Sequence, residues 1–286
     1  MKIIKLIVSL VLFYNVSFAK EFLNVGYDLS NTTMLSKKDM KVATDILLKN
    51  ILGNLDIKSN FKYYNSPLEI QKDINSSNLD YITASPLRVV KYLDLDSLEK
   101  AFGQGSNNMK EYNLILISRS ELNIDNDKKL ANKKILINTK NELHALYINY
   151  IFLKNIGNQK AKLHYSRSYQ RSILDLFFKK ADVAIVTQKS YDIAIELNPQ
   201  IAKKVSILKK TNISDVQLGF FRKSLNEKIK ESMRTTAVSL NSTVEGKQLL
   251  SLYKTEKIVE TDLNLLKPIR ELVNKYNKLK KVKGIK

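Results

Sequence analysis

The residues best placed to do chemistry lie in five short segments, each following an apolar run and preceding a helical one. They are Tyr27-Asp28-Leu29-Ser30, Thr83-Ala84-Ser85-Pro86, Asn138-Thr139-Lys140-Asn141, Tyr165-Ser166-Arg167-Ser168 and Thr187-Gln188-Lys189. Each holds at least one Ser or Thr hydroxyl, and amides, phenols and cations recur among them. Where a strand gives way to a helix, free backbone N–H groups and the positive end of the helix dipole suit an anion or another ligand rich in lone pairs. In open α/β sheets such ligands bind outside the carboxyl ends of the strands. The candidate ligand-binding residues are therefore Tyr27, Asp28, Ser30, Thr83, Ser85, Thr139, Lys140, Asn141, Tyr165, Ser166, Arg167, Thr187 and Gln188, with Tyr112 beside the next long strand. Any one of these hydroxyls could do no more than cap its own helix. The set acquires weight only if the five strand ends converge on one cleft.

Patterns for covalent or metal chemistry are missing. The chain has no Cys and two histidines, which excludes thiolate nucleophiles, structural zinc and iron–sulfur clusters. His144 falls on an amphipathic helix beside Glu142 and His164 in a strand, with no HxH or HxxxH spacing, so each reads as packed or surface histidine. There is no GxSxG, HExxH, Walker loop or GxGxxG. Gly103-Gln104-Gly105 reads as a turn before the long strand, and Asp94 and Asp96 carry no acid–base signal. The expectation is a binding protein with no catalytic residues, metal or cofactor.

The elements that must position these segments alternate as strand and helix with a period of about 30 residues, the pattern of an α/β fold. Strands are expected at Phe22 to Tyr27, Ile57 to Tyr64, Leu79 to Ala84, Glu111 to Arg119, Lys134 to Asn138, Lys162 to Ser166, Ala181 to Thr187, Val205 to Leu208 and Val216 to Phe221. Ser66-Pro67-Leu68-Glu69 predicts a capping box with Pro at the first helical position, and Ser85-Pro86 opens another helix in the same way. Gly157 stops the helix that begins at Glu142. From Leu225 to Lys281 the pattern is almost wholly helical, divided at Asn241-Ser242, where Ser242 and Glu245 suggest a second capping box. Two successive α/β units followed by helices predict two lobes. Residues 20–113 with 215–286 form a discontinuous first lobe, and 114–214 form the second.

The chain has 286 residues, 44% of them hydrophobic, enough to bury a substantial core and too polar for a polytopic membrane protein. Residues 1–19, MKIIKLIVSLVLFYNVSFA, carry the basic start, short apolar core and small −3 and −1 residues of a signal peptide cleaved after Ala19. Export places the chain in the periplasm, where the lack of Cys leaves stability to packing. Lys and Arg number 48 against 28 Asp and Glu, a net +20. Because the lysines are mostly dispersed among acids and Asn along helices, this reads as an anion-attracting field with no nucleic-acid partner. The exception is the run from Lys275, which has no acid after Glu271 and reads as a frayed basic helix end, with contact to anionic lipid or a partner as the alternative.

Several stretches, in order, resemble the type 2 periplasmic substrate-binding proteins, in particular the phosphate/phosphite/phosphonate branch of ABC transporter receptors. They are FLNVGY from Phe22, SPLEIQKDINSSNLDYITASPLRVVKYLD from Ser66, EYNLILISRSELNIDNDKKLANKKILIN from Glu111, ADVAIVTQKSYDIAIELNPQIAKKVSILKKT from Ala181 and EGKQLLSLYKTEKIV from Glu245. The resemblance implies two α/β lobes, each a mixed sheet flanked by helices, hinged near Tyr112 to Ser118 and Asn212 to Gln217. A small ligand, most simply an oxyanion of the phosphate or phosphonate type, would bind between them and favour closure of a monomeric receptor that a membrane ABC permease then recognises. A membrane sensor reading the same closed form, without transport, is the alternative. The chain departs from the family pattern at Asn138-Thr139-Lys140-Asn141-Glu142-Leu143-His144. There a Ser/Thr-rich phosphonate loop is replaced by one hydroxyl and an added Glu, leaving Lys140 and Arg167 to neutralise an anion.

Overall fold

The computed structural model describes residues 22–29, 37–52, 57–105, 109–138, 141–157, 161–252, 255–260 and 263–285, with backbone alone for 37–41, 43, 109 and 111. The signal-peptide reading, Ser30, Thr139 and Lys140 lie outside the described residues.

The strands fall into two sheets. The first takes β1 (Phe22–Asp28), β2 (Lys58–Tyr64), β3 (Tyr81–Ala84), β4 (Leu98–Gly105), β10 (Leu218–Arg222) and β11 (Lys257–Glu260), in the order β11-β4-β10-β3-β1-β2. The second takes β5 (Asn113–Arg119), β6 (Ile135–Asn138), β7 (Leu163–Ser166), β8 (Val183–Thr187) and β9 (Val205–Ser214), in the order β7-β6-β8-β5-β9. Both sheets are mixed. β1 to β3 run parallel, as do β6 to β8, while β10 lies antiparallel to β3, and β5 antiparallel to β8. The protein is thus two-lobed, each lobe carrying one sheet.

Helices cover both faces of each sheet. On the first, α1 (Lys37–Leu52) and α8 (Glu227–Ser239) enclose a core containing Leu23, Val25, Phe221 and Met233. On its other face α2 (Pro67–Asn75) and α3 (Pro86–Tyr92) bury Ile70, Ile74 and Val89 against Ile82 and Phe220. On the second sheet α4 (Glu142–Asn155) packs Leu143, Ile148 and Phe152 on one face, and α5 (Tyr169–Phe177), α6 (Gln188–Leu197) and α7 (Gln200–Lys204) cover the other through Ile173, Leu176, Tyr191 and Ile201. Burial of this apolar area, at about 25 cal/mol per Å², is the main force holding each lobe.

One polar clamp is built twice. Asp80, fully buried, accepts from the backbone N–H of Asn24 at 2.8 Å and from Nη2 of Arg222 at 2.9 Å. Asp182 accepts from the N–H of Lys134 at 2.8 Å and from Nη2 of Arg119 at 2.6 Å. In each lobe an Asp just before the third parallel strand therefore fixes the start of the first strand and an Arg at the end of the antiparallel one.

The sequence expectations fail at four local features. The run after Leu225 is interrupted by β11, which pairs with β4 between α9 (Val244–Leu252) and α10 (Lys267–Val282). Gly103-Gln104-Gly105 is part of β4, not a turn. A Cβ on Gly105 would meet Val259 of β11 at 2.6 Å, so this close strand pairing requires glycine. Ser66 makes no side-chain cap, and the Glu69 carboxylate pairs with Lys62 at 2.8 Å, so no capping box forms. Ser242 turns back to Ser239, and Thr243 accepts from Gly246 N at 3.0 Å as the cap of the following helix.

α10 joins the lobes rather than returning to one. Leu266, just before it, is buried in the first-lobe core, whereas Ile269 and Leu272 share a cluster with Leu87 of α3 and Leu143, Ile148 and Phe152 of α4. At its end Lys283 donates to the carbonyl of Leu153 at 2.7 Å. No helix among the described residues is long and apolar enough to cross a membrane.

Candidate functional site

Strand registers determine where the polar segments gather. Leu218 at the start of β10 opposes Ala84 at the end of β3, so the carboxyl ends of β1, β2 and β3 point toward the crossing into the second lobe. Leu114 at the start of β5 opposes Thr187 at the end of β8, and Asn138 opposes Ser166, so β6, β7 and β8 end at the same crossing. The two crossing strands are themselves joined, the N–H of Asp215 donating to the carbonyl of Tyr112 at 3.4 Å. Strand ends from both sheets thus face one another across the crossing.

On the first lobe, Asp28 is fully buried and accepts from the N–H of Ser85 at 3.3 Å and Nη1 of Arg88 at 3.1 Å. Ser85 caps α3, its Oγ accepting from the N–H of Arg88 at 3.4 Å. Arg88 also donates through Nη1 to the carbonyl of Asn65 at 2.9 Å. Its remaining edge crosses to the second lobe, with Nη2 at 2.9 Å and Nε at 3.3 Å from the same oxygen, Oε1, of Glu142. Tyr27 donates to Oε1 of Gln217 at 2.5 Å, and Thr83 to the Tyr81 hydroxyl at 3.4 Å.

On the second lobe, Asn141 caps α4, its Oδ1 accepting from the N–H of His144 at 3.0 Å while its Nδ2 donates to Oδ2 of Asp215 at 2.7 Å. Tyr169 donates to the same oxygen at 2.5 Å. His144 is fully buried, and Nδ1 accepts from the N–H of Asn138 at 3.3 Å. The ring proton therefore sits on Nε2, 3.2 Å from both Tyr169 Oη and Asp215 Oδ2. Burial first, then the Asp215 charge and its hydrogen bond, push the Tyr169 phenol well above its ordinary value. Two acceptors in this cluster, Asn138 Oδ1 and Asp215 Oδ1, are buried without a partner.

Other expected residues lie at the same crossing in different roles. Thr187 caps α6, accepting from Ser190 N at 3.2 Å, and Gln188 donates to Asp192 at 2.7 Å. Ser166 is buried and donates to the Ser168 carbonyl at 3.1 Å, whereas Tyr165 and Arg167 are exposed. The ring of Tyr112 lies under Lys189 at 5.4 Å, and Lys189 reaches the first lobe through Glu256 at 2.5 Å. Arg88, Glu142, Tyr169, Asp215 and Gln217 were not among the expected residues. An Arg on the helix after a strand end and an acid between two crossing strands were the available signals. A shallow recess between Arg119, Phe177, Lys179 and Lys204 lies at the opposite end of β5, away from the strand ends. No group of three His, Cys, Asp or Glu suited to a metal occurs among the described residues.

Two α/β lobes, joined by crossing strands and facing each other through polar strand ends, define a bilobal binding protein of the periplasmic type. A family model for the periplasmic substrate-binding protein of phosphonate ABC transporters matches residues 30–265, and the chain belongs to that family, a family of binding proteins and not of enzymes. Among solved structures, the binding-protein component of an ABC phosphonate transporter from Pseudomonas aeruginosa is similar, at 18% identity and a TM-score of 0.60, covering 92% of this chain and 89% of that one. PhnD1 from Prochlorococcus marinus, in complex with methylphosphonate, shows 15% identity and a TM-score of 0.60, covering 90% and 99%. A Xanthomonas citri protein bound to chloride shows 10% identity and a TM-score of 0.63, covering 92% and 100%. At these identities the likeness is one of fold. No curated protein sequence matches the chain.

Proposed function

We propose that this protein captures a small phosphonate-type oxyanion between its lobes and presents the closed form to a membrane ABC permease. The observation that carries the reading is Arg88, a guanidinium anchored to one lobe by Asp28 and Asn65 whose Nε–Nη2 edge reaches Glu142 in the first turn of α4 on the other. A cation facing a helix N-terminus across a cleft is suited to an anion, because the fork donates two charge-assisted bonds while backbone N–H groups and the dipole complete the cradle. The hydroxyls of Ser85 and Tyr27 supply further polar groups, and Thr139 and Lys140, next to Asn141 in sequence, are the further candidates from the sequence.

Capture works by differential binding. A ligand touching both strand-end surfaces makes its full set of contacts only when the lobes are together, and so shifts the population toward closure. Tyr112 and Asp215, bonded across the two crossing strands, sit where a hinge must bend. Both surfaces belong to one chain, so a monomer holds a complete site, and cleavage after Ala19 would release it into the periplasm.

The test is a thermal-shift titration of purified protein with methylphosphonate, inorganic phosphate, phosphite, methylsulfonate and small amino acids. A ligand at about 100 times its dissociation constant adds about 2.7 kcal/mol of stability. A saturable rise with phosphonate or phosphate that is weaker with sulfonate and absent with amino acids supports the reading. A rise with amino acids alone overturns it.

A further inference from the structure

We infer that Glu142 is a built-in counter-anion for Arg88, occupying the position of the ligand's acid group until the ligand displaces it. The inference rests on the oxyanion reading given above and names the residue that competes with the ligand. Arg88 is held in place on its own lobe, since Nη1 is spent on Asp28 and Asn65 and the side chain is only 14% exposed. The edge formed by Nε and Nη2 is what it offers across the cleft, and both groups converge on the single oxygen Oε1 of Glu142. Glu142 is the first residue of α4, where the helix dipole favours negative charge and where an incoming anion would also settle.

The pair is well placed and weak. Glu142 is 42% exposed and accepts with one oxygen where the fork can donate to two. An ion pair of that exposure is worth roughly fivefold at most in an equilibrium constant. A phosphonate presents two oxygens at the guanidinium spacing and carries more charge, so it can take the edge from Glu142 while leaving the Asp28 and Asn65 contacts intact. Without ligand the same pair ties α3 to α4 and favours approach of the lobes. A second interlobe pair, Lys189 with Glu256, ties α6 to the segment before β11 but does not involve Arg88, and so provides an internal control.

The experiment measures methylphosphonate affinity by calorimetry for the wild type, Glu142→Gln, Glu256→Gln, Arg88→Lys and the Arg88→Lys/Glu142→Gln double variant. It also measures interlobe distances without ligand by electron–electron resonance. The absence of native Cys allows labels at Leu68→Cys and Lys154→Cys, one on each lobe. The inference predicts that Glu142→Gln binds methylphosphonate about fivefold more tightly and shifts the unliganded distances outward. Glu256→Gln shifts the distances without tightening binding, and the gain from Glu142→Gln vanishes on the Arg88→Lys background. Equal or weaker affinity for Glu142→Gln, or a gain that persists without Arg88, overturns it. If none of the proteins binds methylphosphonate, the oxyanion reading fails and displacement falls with it, while the distances still decide whether the pair holds the lobes together.

Discussion

Nη2 of Arg119 lies 2.6 Å from Oδ1 of Asp182, and Arg222 stands in the same relation to Asp80 at 2.9 Å, so each lobe is fastened by the same Asp–Arg clamp. The two differ in burial, the Asp80 side chain being fully enclosed and Asp182 22% exposed. Removing one partner of a buried pair strands the other's charge. Asp80→Ala is therefore expected to lower the free energy of unfolding by about 3–5 kcal/mol, and Asp182→Ala by less, as read from urea denaturation midpoints. Equal losses would show that burial does not set the cost.

A second buried charge holds α8 to β4. Lys230 is fully buried, 2.6 Å from both Glu99 and Glu227 and 2.8 Å from the carbonyl of Lys223. Burial alone would depress its pKa, but the bonds to Glu227 and Glu99 outweigh it and raise the value above that of an ordinary lysine. Lys230→Ala leaves the Glu99 carboxylate to Arg234 alone and opens a cavity, with an expected loss of about 3 kcal/mol in the same assay. A change under about 1 kcal/mol would mean that the network merely balances its own desolvation cost.

Stability should also fall on the alkaline side. Burial, followed by the Asp127 charge, pushes the Tyr147 phenol up to about 12, and Tyr169 is raised by burial and Asp215. In the unfolded chain both ionise near 10. Below that pH both states keep their protons and the stability is intact. As pH rises from about 10 to about 12 the unfolded state gains by ionising while folded Tyr147 does not, so the unfolding free energy declines. Urea midpoints across this window should fall less steeply for Tyr147→Phe than for the wild type, and identical slopes would refute the assignment.

What could be read from the sequence was local. Ser85-Pro86 announces α3 because a capping hydroxyl and a first-turn proline act within a few residues, and the buried strand of Val183–Thr187 is recognisable from its unbroken apolar run. What escaped depended on distant partners. β11 is four residues long and exists because β4 offers an edge, and Gly105 of β4 has its reason in Val259. Arg88 on an amphipathic helix looks like part of a solvated face. Its role comes from Asp28, 60 residues earlier, and Glu142, 54 residues later, and no window of sequence contains all three. Asp215 is likewise an ordinary loop acid until Asn141 and Tyr169 are folded onto it.

The most direct test of ligand capture between the lobes is a crystal structure of the protein grown with methylphosphonate. The account predicts the phosphonate oxygens on the Nε–Nη2 edge of Arg88 and at the first turn of α4 beside Asn141, with the Glu142 carboxylate moved off Arg88. Phosphonate bound outside this crossing, or bound within it while Arg88 still holds Glu142, would contradict it.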